Sequence, residues 1–258
     1  MQNKNPYISI KTMSDQHLET FIRCPQRFFY QHVVKESRME WTWEEGVQQV
    51  INQVVHQFYL LPYQARTAHR ILTLIEKYWK LLSINQFESK IHYYAILAKV
   101  TDHLLHFLSK ERSQCPPLLL YEKLQSYIQE LETKLSVLFE VVEGGERSFR
   151  IKKFVTSSEQ GLSELFYYLM IIFSKEVFNT IPKVIEVYGV IDGRKQVYTP
   201  KEEDVSEAIT YLQLLKEIVE DPSSYSKTYF HCEQCPYMNK CEESMLQAEK
   251  ETPFQYVH

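Results

Sequence analysis

Glycine is scarce in this chain, 6 residues in 258, and that scarcity argues against loop-rich all-β architectures and for a helix-dominated fold. Long apolar runs are also missing. The longest, Leu165 to Phe173, is far shorter than the roughly 20 residues a membrane-spanning helix needs, so no membrane is expected as a partner. The opening MQNKNPYISIKTMSDQ has no apolar core of the kind a secretory leader carries, and the expected location is the cytoplasm. No repeat and no low-complexity tract interrupts the chain. Positive charge is not in excess. The net charge of −4 gives no global attraction to phosphate, so any nucleic-acid contact must come from a local basic patch. What is plentiful is aromatic, with 18 Tyr and 14 Phe, in a chain long enough to bury a sizeable core as one domain.

The texture changes along the chain. Ser14-Asp15-Gln16-His17-Leu18-Glu19 reads as a capped helix start, with Leu18, Phe21 and Ile22 on one face. Helical patterns follow at about 44–59, 66–82 and 90–112, until Cys115-Pro116-Pro117 stops them. Residues 118–128, 135–142 and 148–156 are rich in β-formers, and Gly144-Gly145 reads as the hairpin turn between the last two. A helix over 161–175, a strand over 184–191 with a turn at Asp192-Gly193, and a final helix over 202–220 complete the series. The expectation is one domain over 1–258: a helical part (1–117), a sheet core with helices (118–220) and a cysteine-bearing tail (221–258).

Five cysteines in a reducing compartment call for a metal or redox explanation, or for none. Cys232-x2-Cys235-x5-Cys241 sets three thiols in ten residues, one ligand short of a tetrahedral zinc or a four-iron cluster. Cys24 can complete either, His231 is a poorer fourth because it adjoins Cys232, and reduced core thiols are the plain alternative. Cys115 reads as a packed thiol. Spacing does not choose between zinc and iron.

The stretch Ser14-x3-Leu18-Glu19-x-Phe21-x2-Cys24-Pro25-x2-Phe28-Phe29-Tyr30, taken with the C-terminal Cys-x2-Cys-x5-Cys, resembles the iron–sulfur branch of the PD-(D/E)XK nuclease superfamily, the CRISPR-associated exonucleases and AddB nuclease domains. The resemblance implies an α/β, helix-rich, restriction-endonuclease-like core, a small mixed sheet flanked by helices, with the chain ends joined at a [4Fe-4S] cluster on Cys24, Cys232, Cys235 and Cys241. It also implies a site built from a helix histidine, a Gly-x-x-Asp strand, an (Asp/Glu)-x-Lys strand and a helix bearing Gln and Tyr.

The middle of the chain matches only in part. His56 stands at the histidine position, though Asn52 replaces the usual glycine before it. Ser136 and Phe139 take the places of the glycine and aspartate. Lys153 is the lysine, with Ile151 where the acid belongs, and Glu164 and Tyr168 take the glutamine and tyrosine positions. Ile151 shares a strand face with Lys153 and offers no ligand to Mg²⁺ or Mn²⁺, so neither ion is expected. The reading is a degenerate nuclease that binds DNA, with Arg23, Arg27, Lys152 and Lys153 for phosphates, or a helicase-like or other DNA-processing protein, in repair, recombination or defence. One alternative is an active deoxyribonuclease using Glu140, Glu143 or Glu146 instead, with Lys153 assisting. Another is a structural or regulatory adaptor without DNA affinity. Each residue also has an ordinary explanation: a plain helix histidine at His56, a surface or Glu164-paired Lys153, and core packing for Phe166, Tyr167 and Tyr168.

Overall fold

A computed structural model describes residues 12–35, 42–110, 115–145, 148–225, 232 and 235–241. A short strand β1 (Thr12–Ser14) leads into α1 (Asp15–Arg23), where the Ser14 side chain accepts from the His17 N–H as the sequence anticipated. Exchanging Ser14 for alanine orphans that donor and is expected to lower unfolding free energy by about 1 kcal/mol in a urea titration. Cys24 interrupts the helix in extended conformation, and Pro25 restarts it as α2 (Pro25–Phe28). A turn of π-helix, Phe29–Val33, continues from it. Three longer helices follow: α3 (Trp43–Leu60), α4 (Ala68–Trp79) and α5 (Lys90–Ser109). No helix among the described residues is long and apolar enough to cross a membrane.

The sheet comes next. Strand β2 (Leu119–Ile128), β3 (Thr133–Gly145) and β4 (Ser148–Val155) form a meander, α6 (Gln160–Phe178) crosses over, β5 (Val184–Gly189) and β6 (Lys195–Tyr198) form a hairpin, and α7 (Asp204–Glu220) closes the series. The fold is α/β with a small mixed sheet flanked by helices. Strands β1–β3 and β4–β5 pair in parallel, while β2–β3, β3–β4 and β5–β6 pair antiparallel. One apolar cluster joins α1, α2, α6 and α7 to one sheet face, and a second joins α3, α4 and α5 to the other. Strand β4 alternates between them: Ile151 belongs to the first core and Phe154 to the second.

Several details differ from the sequence expectation. Gly144 and Gly145 are not the turn. They pair with Phe149 and Ser148 inside the ladder, and residues 146–147 lie outside the described residues. Gly144 is nevertheless required, with φ +127° and no room for a Cβ beside the Ser148 carbonyl. Helix α6 runs past Lys175 to Phe178 and ends on Asn179 in left-handed conformation, a residue that tolerates it. Strands β1 and β6, three and four residues long, are too short to leave a period-two signal.

Candidate functional site

Strand β3 has three partners, and their registers define an opening in the sheet. On one edge β2 pairs along Thr133 to Val142. The other edge is therefore shared: β1 takes Lys134 to Ser136, and β4 takes Val141 to Gly145. Residues 137–140 lie between them, where β1 and β4 part. Unpaired backbone groups in such a fork need partners, and carboxylates supply them. Asp15, just after β1, accepts the Leu138 N–H at 2.9 Å. Glu140 accepts the Phe154 N–H of β4 at 2.7 Å. Gln48 of α3 takes the place of a neighbouring strand further along β4, donating to the Phe154 carbonyl at 2.7 Å and accepting the Thr156 N–H at 2.9 Å.

Lys153 stands at this fork, 9% exposed. Its ammonium pairs with Glu19, one helical turn beyond Asp15, and lies 4.7 Å from the Phe166 ring centroid. Burial pulls the Lys153 pKa down, but Glu19, Glu140 and Asp15 more than reverse this and raise it. The lysine is thus a permanent cation. Glu140 behaves oppositely. Burial raises its pKa to about 7, against the pull of Lys153 and the Phe154 N–H, with Glu19 and Asp15 adding to the rise. Beside it, Tyr121 of β2 holds φ +52°, a strained value for a bulky residue. Its hydroxyl is buried with no hydrogen-bond partner, and burial followed by the Glu140 charge raises its pKa well above the ordinary value.

The residues expected at the site fare differently. Phe139 and Ile151, at the two acid positions of the resemblance, are fully buried in the first core. Lys153 is central. His56, on α3, meets the Tyr121 ring edge-on at 5.3 Å, so it touches the far side of the same neighbourhood. Glu164 is exposed, and the pairing suggested between it and Lys153 is replaced by Glu19. The Tyr168 hydroxyl donates to Glu207 of α7 at 2.9 Å, in a row of rings with Tyr167, Tyr198 and Tyr211. Its partner set is that helix, not the lysine.

Glu140 does turn inward: Phe139 belongs to the first core and Val141 to the second, so the strand's alternation breaks between them. Glu143 instead forms a buried ion pair with Lys152, which also donates to the Tyr59 hydroxyl at 3.2 Å. Glu146 is outside the described residues. The four cations suggested for phosphates are also engaged: Arg23 with Glu159 at 3.0 Å, Arg27 with Glu45 at 2.9 Å, and the two lysines with Glu143 and Glu19. Asp15 and Glu19 went unrecognised in the sequence, although their four-residue spacing sets both on one helix face.

The cysteine segment returns to the N-terminal helices. Tyr237, 4% exposed, stacks on Tyr30 at 5.6 Å, and the Tyr30 hydroxyl donates to the Lys240 carbonyl at 3.4 Å. Just upstream, Tyr225 packs among Phe21, Phe28 and Phe29. Backbone bonds from Cys235 N–H to the Cys232 carbonyl and from Cys241 N–H to the Tyr237 carbonyl, both 3.0 Å, coil the segment. Cys24, Cys232, Cys235 and Cys241 are all half-buried, whereas Cys115 is exposed rather than packed, and none of the five is in a disulfide. Four thiols on two segments held together suit a soft metal centre chemically. Among the described residues, however, no group of three or more His, Cys, Asp and Glu side chains is placed to hold a metal ion. The described part of the cysteine segment meets the N-terminal helical region through Tyr30 and Tyr237, and His231 lies outside the described residues.

A scan against protein-family models finds no match, nor does a search of curated proteins. A search of solved structures does. The chain is similar to a protein from Eubacterium rectale whose crystal structure is described as that of a "putative exonuclease", with a TM-score of 0.48 and 8% identity over 92% of this chain and 93% of that one.

Proposed function

We propose that this chain is a nuclease-like domain of the PD-(D/E)XK kind whose catalytic centre has become a buried structural ion cluster, and that it works in the cytoplasm by binding DNA or a DNA-processing protein. The observation that carries this reading is the state of Lys153. A lysine that stabilises charge on a scissile phosphate must meet that phosphate. Lys153 is instead buried and neutralised by Glu19, while Phe139 and Ile151 have joined the core. Of the carboxylates that remain, Asp15 and Glu140 hold backbone N–H groups, and Glu19 and Glu143 pair with lysines. A cleavage assay on single-stranded and duplex DNA with Mg²⁺ or Mn²⁺ is expected to show no activity above that of Lys153→Ala. Because Glu140 turns toward Lys153, the competing reading is an active site with a relocated acid. Metal-dependent cleavage that vanishes in both Lys153→Ala and Glu140→Gln would establish that reading and overturn ours. A gel shift at low salt then separates the partners: no retardation of either DNA form leaves the protein partner.

The proposal includes a [4Fe-4S] cluster on Cys24, Cys232, Cys235 and Cys241. Its support is the thiol donor set, the packing of the cysteine segment against Tyr30 of the Phe29–Val33 turn, and the motif resemblance. Such a cluster would close a loop of nearly the whole chain. An anaerobic preparation is expected to contain about four irons and four sulfides per chain, and Cys24→Ser is expected to lose them. Stoichiometric zinc without iron would sink the cluster assignment.

A further inference from the structure

Helix α5 is apolar on two faces, and only one of them is covered. Ile96, Val100 and Leu104 are buried against α3, α4 and the sheet. On the opposite side Ile91 is 83% and Tyr94 60% exposed, and the exposed Ala95 and Ala98 extend the same stripe at helical spacing. A helix apolar on both faces ordinarily has something packed on each. The stripe begins at the tip of the α4–α5 hairpin, where Leu81 is also exposed, at 78%. Tyr94 is braced from below. Its ring meets Tyr93 at 5.2 Å, and Tyr93 is wedged against Phe87 at 5.0 Å and Trp79 at 5.6 Å. An aromatic side chain held by neighbours in this way loses little freedom on binding, which is how interface anchors are built.

The charge around the stripe is distinctive. Between residues 61 and 110 seven Lys and Arg stand against three Asp and Glu, a local balance of +4 in a chain of net charge −4. Glu76 pairs with Lys80 at 2.7 Å, while Glu88 and Asp102 keep exposed carboxylates 3.8 Å from His92 and His103, Asp102 standing one turn beyond Ala98 where the apolar stripe ends. Lys90 and Lys99, which flank the stripe, are exposed with no acidic partner among the described residues.

We propose that the Ile91–Tyr94–Ala98 face of α5 is a docking surface for an acidic amphipathic helix of a protein partner. Two alanines allow a second helix backbone to approach closely, Ile91 and Tyr94 supply the anchors, and Lys90 and Lys99 select acidic flanks. Nucleic acid is the poorer fit. Phosphate and base contacts draw on Arg, Lys and aromatic rings, whereas half of this stripe is alanine and its most exposed member is isoleucine. The inference does not depend on the fate of the nuclease-like centre, since it uses none of its residues.

The test uses the full chain and two labelled synthetic amphipathic helices with leucine on one face, one carrying Glu flanks and the other Lys. Fluorescence anisotropy is expected to show the acidic probe binding at least about tenfold tighter than the basic one, and Tyr94→Ala and Ile91→Ser each weakening it by about tenfold. The Lys90→Glu/Lys99→Glu variant should reverse the preference. These side chains are exposed, so circular dichroism should report unchanged folding. Equal binding of the two probes, no binding of the acidic one, or an unaffected Tyr94→Ala would overturn the assignment. So would self-association in sedimentation that Tyr94→Ala abolishes, which would give the face to a second copy. Displacement of the acidic probe by DNA from the wild type but not from Lys90→Glu/Lys99→Glu would give it to nucleic acid.

Discussion

Replacing Lys153 with methionine is expected to cost the fold about 3–5 kcal/mol, the usual penalty for removing one partner of a buried ion pair. The mechanism is specific to the fork. Asp15, Glu19 and Glu140 all act on Lys153, and without it three acidic groups are left beside one another, Asp15 and Glu140 buried and Glu19 partly exposed. Two of them cannot move away, because they hold the Leu138 and Phe154 N–H groups. In thermal denaturation the loss amounts to roughly 10 °C for a domain of this size. The double variant Lys153→Met/Glu19→Gln restores much of it, since the residual repulsion is smaller and methionine fills the space over Phe166. A lysine retained for chemistry alone would behave differently: its removal would leave the melting temperature within a degree or two, about 0.5 kcal/mol.

The second large effect is a pH dependence written into Glu140. Its pKa stands at about 7 in the fold against an ordinary 4.5. A carboxyl whose folded pKa is raised binds its proton more tightly when folded, so it supports the fold most fully below the ordinary value. That support is lost as pH climbs through the folded value, and above about 7 the loss is complete. The difference of 2.5 units corresponds to about 3 kcal/mol between pH 4 and pH 8. Glu140→Gln keeps an oxygen for the Phe154 N–H but cannot ionise. Urea titrations at several pH values should show the variant gaining about 3 kcal/mol on the wild type between those limits. Parallel stability curves for the two proteins would show that Glu140 titrates alike in the folded and unfolded chains and would remove this account.

Much of the fold was legible in the sequence because its elements are long and carry clean periods. The helix start at Ser14 bears a capping side chain, and the β2–β3–β4 meander is dense in β-formers. At the centre the resemblance sets Ile151 and Phe139 at its two acid positions, and the structure buries both in the first core. The sequence offers Glu140 as a relocated acid, and it turns toward Lys153. What took over could not be read. Asp15 and Glu19 sit in a helix start where an acid has an ordinary explanation as a cap, and their meeting with Lys153 depends on β1 pairing with β3 across more than a hundred residues. Contacts of that kind leave no local pattern. Gln48 was invisible for the same reason, since nothing on α3 says that it will stand in for a strand.

That pairing also orders events during folding. The β2–β3–β4 meander and the β5–β6 hairpin close over short loops, and the α3–α5 helices are local. Strand β1 must instead join Thr12 to Lys134, a closure whose entropy is repaid only once its landing edge exists. The N-terminal segment is therefore expected to dock late, and it brings both Asp15 and Glu19. Until it arrives, Lys153 would lie on an assembled sheet with Glu140 alone of its three acidic neighbours in place and an open edge at residues 134–138. The last step of assembly is then expected to be a charge neutralisation, and stopped-flow refolding should be faster at low ionic strength and at pH values where the incoming carboxylates are ionised. The same open edge is the place where a partly folded chain is most exposed to pairing with another.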